Sequence, residues 1–447
     1  MSILTVPDLG PAPKLKRITS ADATLDNGLT VLAVRRAGVP LVEVRLRIPF
    51  QGPKRTHPAH AEVLADGLLA GTSDHDRSFL ASAVQAMGGS LNTSVDADRL
   101  LISGSTLSSK FTDLLTLIAE VLTSANYPNA EVARDKERLI ERLTIARSQA
   151  SVIAHEALAK RMWGDHPYAV DVPQPEAVAA TTAAQVRKLH ADRVVPAGAT
   201  LVIVGDVSPK RVLDQVATAL GAWTGAPPAR ANTLPALPAL VPGAPVLVDR
   251  PGSVQSALRI GGTAVGRTHA DAPALALANL IFGGYFSSRW VENIREDKGY
   301  TYSPRSAVEH HGLGSIFTAS ADVASEVTGP ALLETQYELG RIASLPVSVN
   351  EVEAVRQYAI GTLALSIATQ SGLASTLSAL AATGLGLEWL AGQPARMAAV
   401  TLDQVSAAAA RYLAPSELVT VIVGDASVIS GPLSVLTAVV GADGGAR

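Results

Sequence analysis

Val202 to Ser208 reads VIVGDVS, and Val421 to Ser427, 219 residues later, reads VIVGDAS. Each run is an apolar β-type stretch closed by a glycine-aspartate turn. The same offset carries Thr182, Gln185 and Val186 onto Thr401, Gln404 and Val405. Nearer the front of each half, Leu46-Arg47-Ile48 matches Leu258-Arg259-Ile260 at a slightly shorter offset. A register shared by helix, loop and strand marks an internal duplication. The chain therefore reads as two homologous α+β domains, each an antiparallel-rich sheet faced by helices.

Between the copies lies PPARANTLPALPALVPGAP, residues 227–245, with six prolines. Proline removes the backbone donor and fixes φ, so this run suits neither helix interior nor central sheet. It divides the chain into a first domain, 21–226, and a second, 246–447. Residues 1–20 carry Pro7, Pro11 and Pro13 and read as a surface arm.

Composition excludes several classes. The 447 residues are 47% hydrophobic with a net charge of −3, and Lys and Arg are scattered rather than clustered. A basic stripe for nucleic acid is missing. There is no cysteine, which removes disulfides, thiolate zinc sites and a cysteine nucleophile. The N-terminus lacks a signal-type apolar core, and no run reaches about 18 clean apolar residues. The expectation is a cytoplasmic protein with no membrane partner.

A second stretch bears on chemistry. Ile281 to Ser303 reads IFGGYFSSRWVENIREDKGYTYS. The pattern predicts a helical run closed by Gly283-Gly284, a short helix ending at Arg295, a turn at Gly299 and a β-run from Tyr300 to Ser303. A guanidinium offers five fixed donors and a phenol one more. Facing one space, Arg295 and Tyr302 suit a peptide carbonyl or carboxylate. Read locally, Arg295 also suits a cap on its own helix, and Tyr302 a half-buried strand residue.

These features together resemble the pitrilysin/insulysin (insulinase, inverzincin) zinc metallopeptidases, a family that includes the mitochondrial processing peptidases and respiratory-complex core subunits. The resemblance spans about Leu25 to Val435. It rests on DNGLTVLAV at Asp26, AGTSDHD at Ala70, GDHPYAV at Gly164, the two VIVGD strands and SSRWVENIREDKGYTYS at Ser287. It implies a chain forming half of a clam-shell chamber, with Arg295 and Tyr302 as the substrate-binding pair.

Active relatives carry H-x-x-E-H, two zinc-binding histidines and a general base, with a distant glutamate as third ligand. Counting back from Gly71-Thr72, those positions hold Glu62, Ala65 and Asp66, and the third ligand falls on Arg142. Ala65 takes no proton and Arg142 binds no cation. The resemblance thus implies no metal and no peptidase activity in this chain alone. It implies a zinc-bearing homologous partner, with which metalloendopeptidase activity on peptides is expected. The alternative is an inactive structural or peptide-binding homologue like the respiratory-complex core subunits. Arg142 is expected to reach between Glu62 and Asp66 as an ion pair. His57 and His60, beside Pro58, read as an exposed helix start rather than a metal cluster. His310-His311 point to opposite faces of a strand, and Gly283-Gly284 lacks the Gly-Lys-Ser/Thr of a phosphate loop.

Overall fold

The computed structural model describes residues 18–227 and 233–441. Most of the expected N-terminal arm and residues 228–232 of the proline-rich run lie outside the described residues. Among those described, the chain forms two six-stranded sheets.

The first sheet comprises β1 (Ser20–Thr24), β2 (Thr30–Arg35), β3 (Leu41–Pro49), β4 (Ser90–Val95), β5 (Arg99–Leu107) and β6 (Thr200–Gly205) in the order β1-β2-β6-β3-β5-β4. The second comprises β7 (Val246–Asp249), β8 (Gln255–Ala264), β9 (Arg305–His310), β10 (Ser315–Ala324), β11 (Leu418–Gly424) and β12 (Val440–Gly441) in the order β12-β7-β11-β8-β10-β9. The two orders superpose except for the origin of one edge. β1 comes from the front of its half and runs antiparallel to β2, whereas β12 comes from the end of its half and runs parallel to β7.

The duplicated VIVGD stretches are β6 and β11, near the centre of each sheet. Thr182 and Thr401 each cap the preceding helix through a reciprocal bond with Gln185 or Gln404. This capping box satisfies two free N–H groups at a helix start, which gives the repeated Thr and Gln a physical reason.

The earlier strand match needs a correction. Arg45 pairs with Val202 across β3 and β6, and Arg259 pairs with Val421 across β8 and β11. Arg259 is therefore the counterpart of Arg45, not of Arg47. In both, Nη1 donates to the preceding residue's carbonyl at 2.9 Å. A slip of two residues keeps every side chain on its face, so the residue pattern alone hides it.

Both central strands are mostly apolar, with Thr200 and Thr420 as the exceptions, because both of their faces are covered. On one face of the first sheet, Leu201 and Ile203 join a core built from the helices of that half. On the other, Val202 and Val204 pack against Leu373, Ala374 and Leu377 of the helix Gln370–Ala381, which belongs to the second half. The exchange is reciprocal. The helix Ala150–Trp163 of the first half sets Ala154, Leu158 and Met162 against Val419, Val421 and Val423 of β11. Residues 233–245 form no helix or strand, and Leu234, Leu237 and Leu240 rest in the same cluster as that helix.

A buried tie also joins the halves. Asp98, 9% exposed, accepts from Tyr168 Oη at 2.6 Å, from Gln51 at 2.8 Å and from the Gly312 N–H at 2.8 Å. Among the described residues no single helix is long and apolar enough to cross a membrane.

Candidate functional site

The segment expected to carry Arg295 and Tyr302 is built differently from its sequence reading. Leu280–Gly284 is a π-helical turn, Arg289–Val291 a single α-turn, and Glu292–Asp297 a second π-helical turn. The helical run continues past Arg295 to Asp297, and the Lys298 N–H reaches the Asn293 carbonyl at 3.0 Å. Tyr300–Ser303 is not a strand; β9 begins at Arg305. Wide helical turns are rare and turn side chains out of the ordinary stripe, which a 3.6-residue period cannot forecast.

Packing fixes this irregular segment. Trp290 is buried, stacks on Phe282 with ring centres 5.2 Å apart, and donates to Thr335 Oγ1 at 3.0 Å. Arg289 grips Glu351 with two bonds of 2.6 and 3.0 Å. Burial alone would raise the Glu351 carboxyl, but the bonds from Arg289 and Ser348 carry it down to about 2. Asn293 donates to Glu334 and Glu338, each at 3.0 Å. Gly299 then turns the chain with φ of +65°, a left-handed conformation that costs a side chain energy.

Arg295 and Tyr302 open onto one cavity of about 650 Å³, whose wall also includes Gln255, Glu296 and Asp322. The Arg295 guanidinium carbon stands 4.3 Å from the Phe286 ring centre and 5.2 Å from that of Tyr302. Its Nη1 donates to Glu296 at 2.7 Å. Arg295 is thus held by rings and a carboxylate rather than by helix-end carbonyls. Tyr302 is 83% exposed, not a half-buried strand tyrosine. Phe286 is the partner that sequence reasoning missed, although the aromatic Tyr285-Phe286 pair stood in the quoted stretch.

The former metal positions lie elsewhere. Glu62 and Asp66 sit on the helix His57–Gly67, and Arg142 on Asn129–Arg147, which packs against it. Arg142 donates to Asp66 at 2.9 Å. Among the described residues Glu62 makes no bond to either, so the expected bridge is one-sided. Burial, helped by the Asp66 charge and opposed by Arg142, raises the Glu62 carboxyl to about 7. Ala65 is buried in the first core. A guanidinium where a third ligand belongs and a methyl where a base belongs do not fit zinc. Among the described residues no group of three or more His, Cys, Asp or Glu is placed to hold a metal.

The histidines take other partners. His57 is not on an exposed turn: it is half-buried, its Nε2 lies 2.6 Å from the Phe50 carbonyl, and burial lowers it to about 4. His310 bonds Ser315 Oγ at 2.7 Å, while His311 lies edge-on to Trp163. Glu62 lines a cavity of about 680 Å³ between the halves, which shares no residue with the one beside Arg295 and Tyr302. Within one chain these are separate places.

Comparison with known proteins bears on this arrangement. A family profile described as the peptidase M16 inactive domain matches residues 180–358. A protein named an uncharacterized zinc protease from Mycobacterium leprae is 23% identical over 345 residues, 71% of this chain and 76% of that protein. The Bacillus subtilis protein YmxG, named likewise, is 22% identical over 301 residues, 66% of this chain and 71% of its own. The crystal structure of a peptidase M16 inactive domain from Pseudomonas fluorescens has a TM-score of 0.83 at 22% identity, covering 91% of this chain and 98% of that one. A protease from Helicobacter pylori gives 0.85 at 17% identity, covering 91% and 100%. At those identities the solved structures show a shared fold. With the profile and the sequence relatives beside them, residues 180–358 match the inactive domain of the M16 peptidases, and the chain is similar along most of its length to proteins named zinc proteases.

Proposed function

We propose that this chain is the zinc-less subunit of a two-chain M16 peptidase, and that Arg295 and Tyr302 hold a peptide beside zinc carried by a homologous partner. The observation that carries the reading is the shared cavity. Two donors from either side of the Gly299 turn open onto it, and Tyr302 is largely exposed there. An extended peptide satisfies its backbone best as an added strand. Donors aimed at its carbonyl stabilise charge that grows there during attack. The chain's own part is to bind, orient and polarise; water activation belongs to the partner.

The test mixes a zinc-bearing partner with wild-type or variant chain and follows peptide cleavage. Loss of one oxyanion donor costs about 10²–10³ in kcat, and Tyr302→Phe is expected to fall in that range while assembly stays intact. Arg295→Ala additionally raises KM. Full activity with both variants in an assembled complex would leave the chain a scaffold without a share in catalysis.

A further inference from the structure

A cavity of about 650 Å³ lies in the second half; it shares no residue with the one beside Arg295 and Tyr302 and meets the cavity between the halves at one residue, Arg267. Its wall is formed by the loop before the helix Ala272–Asn279, by that helix, and by Leu387–Ala398 and Leu402–Tyr412. Its volume lies within the range of about 300–1,000 Å³ found for small-molecule sites. Apolar side chains, including Pro273, Val400 and the Trp389 ring, supply much of the wall.

Three arginines from three elements converge on this space: Arg267, Arg396 and Arg411. Asp271 is the one carboxylate on the wall, and it is committed. It accepts from Tyr412 Oη at 2.7 Å and lies 3.5 Å from Arg411. Arg396 lies 4.9 Å from the Trp389 ring centre and is held there by bonds to Gln393 and the Trp389 carbonyl. Among the described residues its Nη1 and the Nη2 of Arg411 carry no bond. Arg267 has neither a hydrogen bond nor an ion pair among the described residues. Burial lowers its pKa. Arg267 also borders the cavity between the halves, so it stands at the inner end of this one.

A half-buried guanidinium with no counter-charge bonded to it among the described residues carries part of the cost of burying an unpaired ion. Two further cations beside it deepen the deficit, and an aromatic ring under one of them offers a flat apolar surface. We propose that this cavity binds a small ligand bearing an oxyanion, carboxylate or phosphate, on an apolar planar body, with Arg267 and Arg396 on the anion and Trp389 under the body. Guanidinium forks match both anions with paired bonds. The site shares no lining residue with the cavity beside Arg295 and Tyr302.

The experiment titrates the full chain with benzoate, phenyl phosphate and inorganic phosphate, following tryptophan fluorescence and calorimetric heat. Trp163, Trp223 and Trp290 are buried, so a ligand-dependent signal that disappears in Trp389→Phe reports this cavity. Benzoate against phenyl phosphate identifies the preferred anion, and inorganic phosphate, lacking an apolar body, is expected to bind more weakly than either. One charge-assisted bond is worth about tenfold in affinity, so Arg267→Gln should weaken binding by at least about that factor, and Arg267→Lys by less. Arg396→Gln gives a second reading if Arg267→Gln does not fold. The proposal is overturned if none of the three probes binds at millimolar concentration, or if binding is unchanged in the folded arginine variants.

Discussion

Arg142 donates to Asp66 at 2.9 Å and leaves Glu62, one helical turn away, without an ion pair among the described residues. The side chains of the pair are 60% and 31% exposed. Exposed ion pairs contribute roughly 0.2–1 kcal/mol. Arg142→Ala is therefore expected to lower unfolding free energy by less than about 1 kcal/mol in denaturant titration. A loss of several kcal/mol would mean that the pair replaces a metal energetically, which its exposure argues against.

Glu62 sets a pH dependence. Its carboxyl ordinarily titrates near 4.5, and in the folded chain burial, with Asp66 and Asp171 adding and Arg142 opposing, raises it to about 7. Between those values the folded chain holds a proton that the unfolded chain has released. The resulting stabilisation is complete below about pH 4.5 and lost as pH rises through 7. Glu62→Gln should match wild type near pH 4 and exceed it at pH 8 by on the order of 2 kcal/mol. Parallel stability curves for the two proteins across that range would contradict the assignment.

Phe286 is 63% exposed yet lies against Arg295. A cation-π contact at such a site is worth about 0.5–1 kcal/mol, too little to support the fold but enough to hold a guanidinium in place. Phe286→Ala should leave the melting temperature within about 2 °C of wild type. In the mixed-subunit assay it should raise KM by several-fold. An unchanged KM would show that Glu296 and the Tyr302 ring position Arg295 without Phe286.

We propose the division at residues 227–245, with a qualification that the exchanged helices impose. A specific protease site placed there should be cut without dispersing the halves. Each fragment supplies the helix that covers the other's sheet, so the two should co-elute on gel filtration and part only in denaturant. Separation under native conditions would show that the buried clusters around Val204 and Val421 contribute little.

Much of the architecture was legible because duplication writes it twice. The VIVGD strands and the Thr-x-x-Gln helix starts each gave an element and its counterpart. The register of Arg45 against Arg259 was not legible, since a two-residue slip preserves strand pattern. Nor was the helix exchange: an apolar run covered on both faces says nothing about which half provides the cover. At the site, the resemblance singled out Arg295 and Tyr302, and the structure sets both on one cavity wall. The wide turns around them are packed by Trp290 and Asn293 against Thr335 and Glu334, 45 and 41 residues further along the chain. The three-arginine cavity draws on residues from 267 to 411, and no local motif announces it.

The reciprocal exchange also bears on how such a chain tolerates change. The helix His57–Gly67, where metal ligands would sit, is not one of the two traded between halves. Its neighbours, among them Asn129–Arg147, Ala183–Arg193 and the strand β4, all belong to the first half, so substitutions along it leave the borrowed helices in place. Chemistry and architecture occupy different helices, so the first can be surrendered residue by residue without the second coming loose.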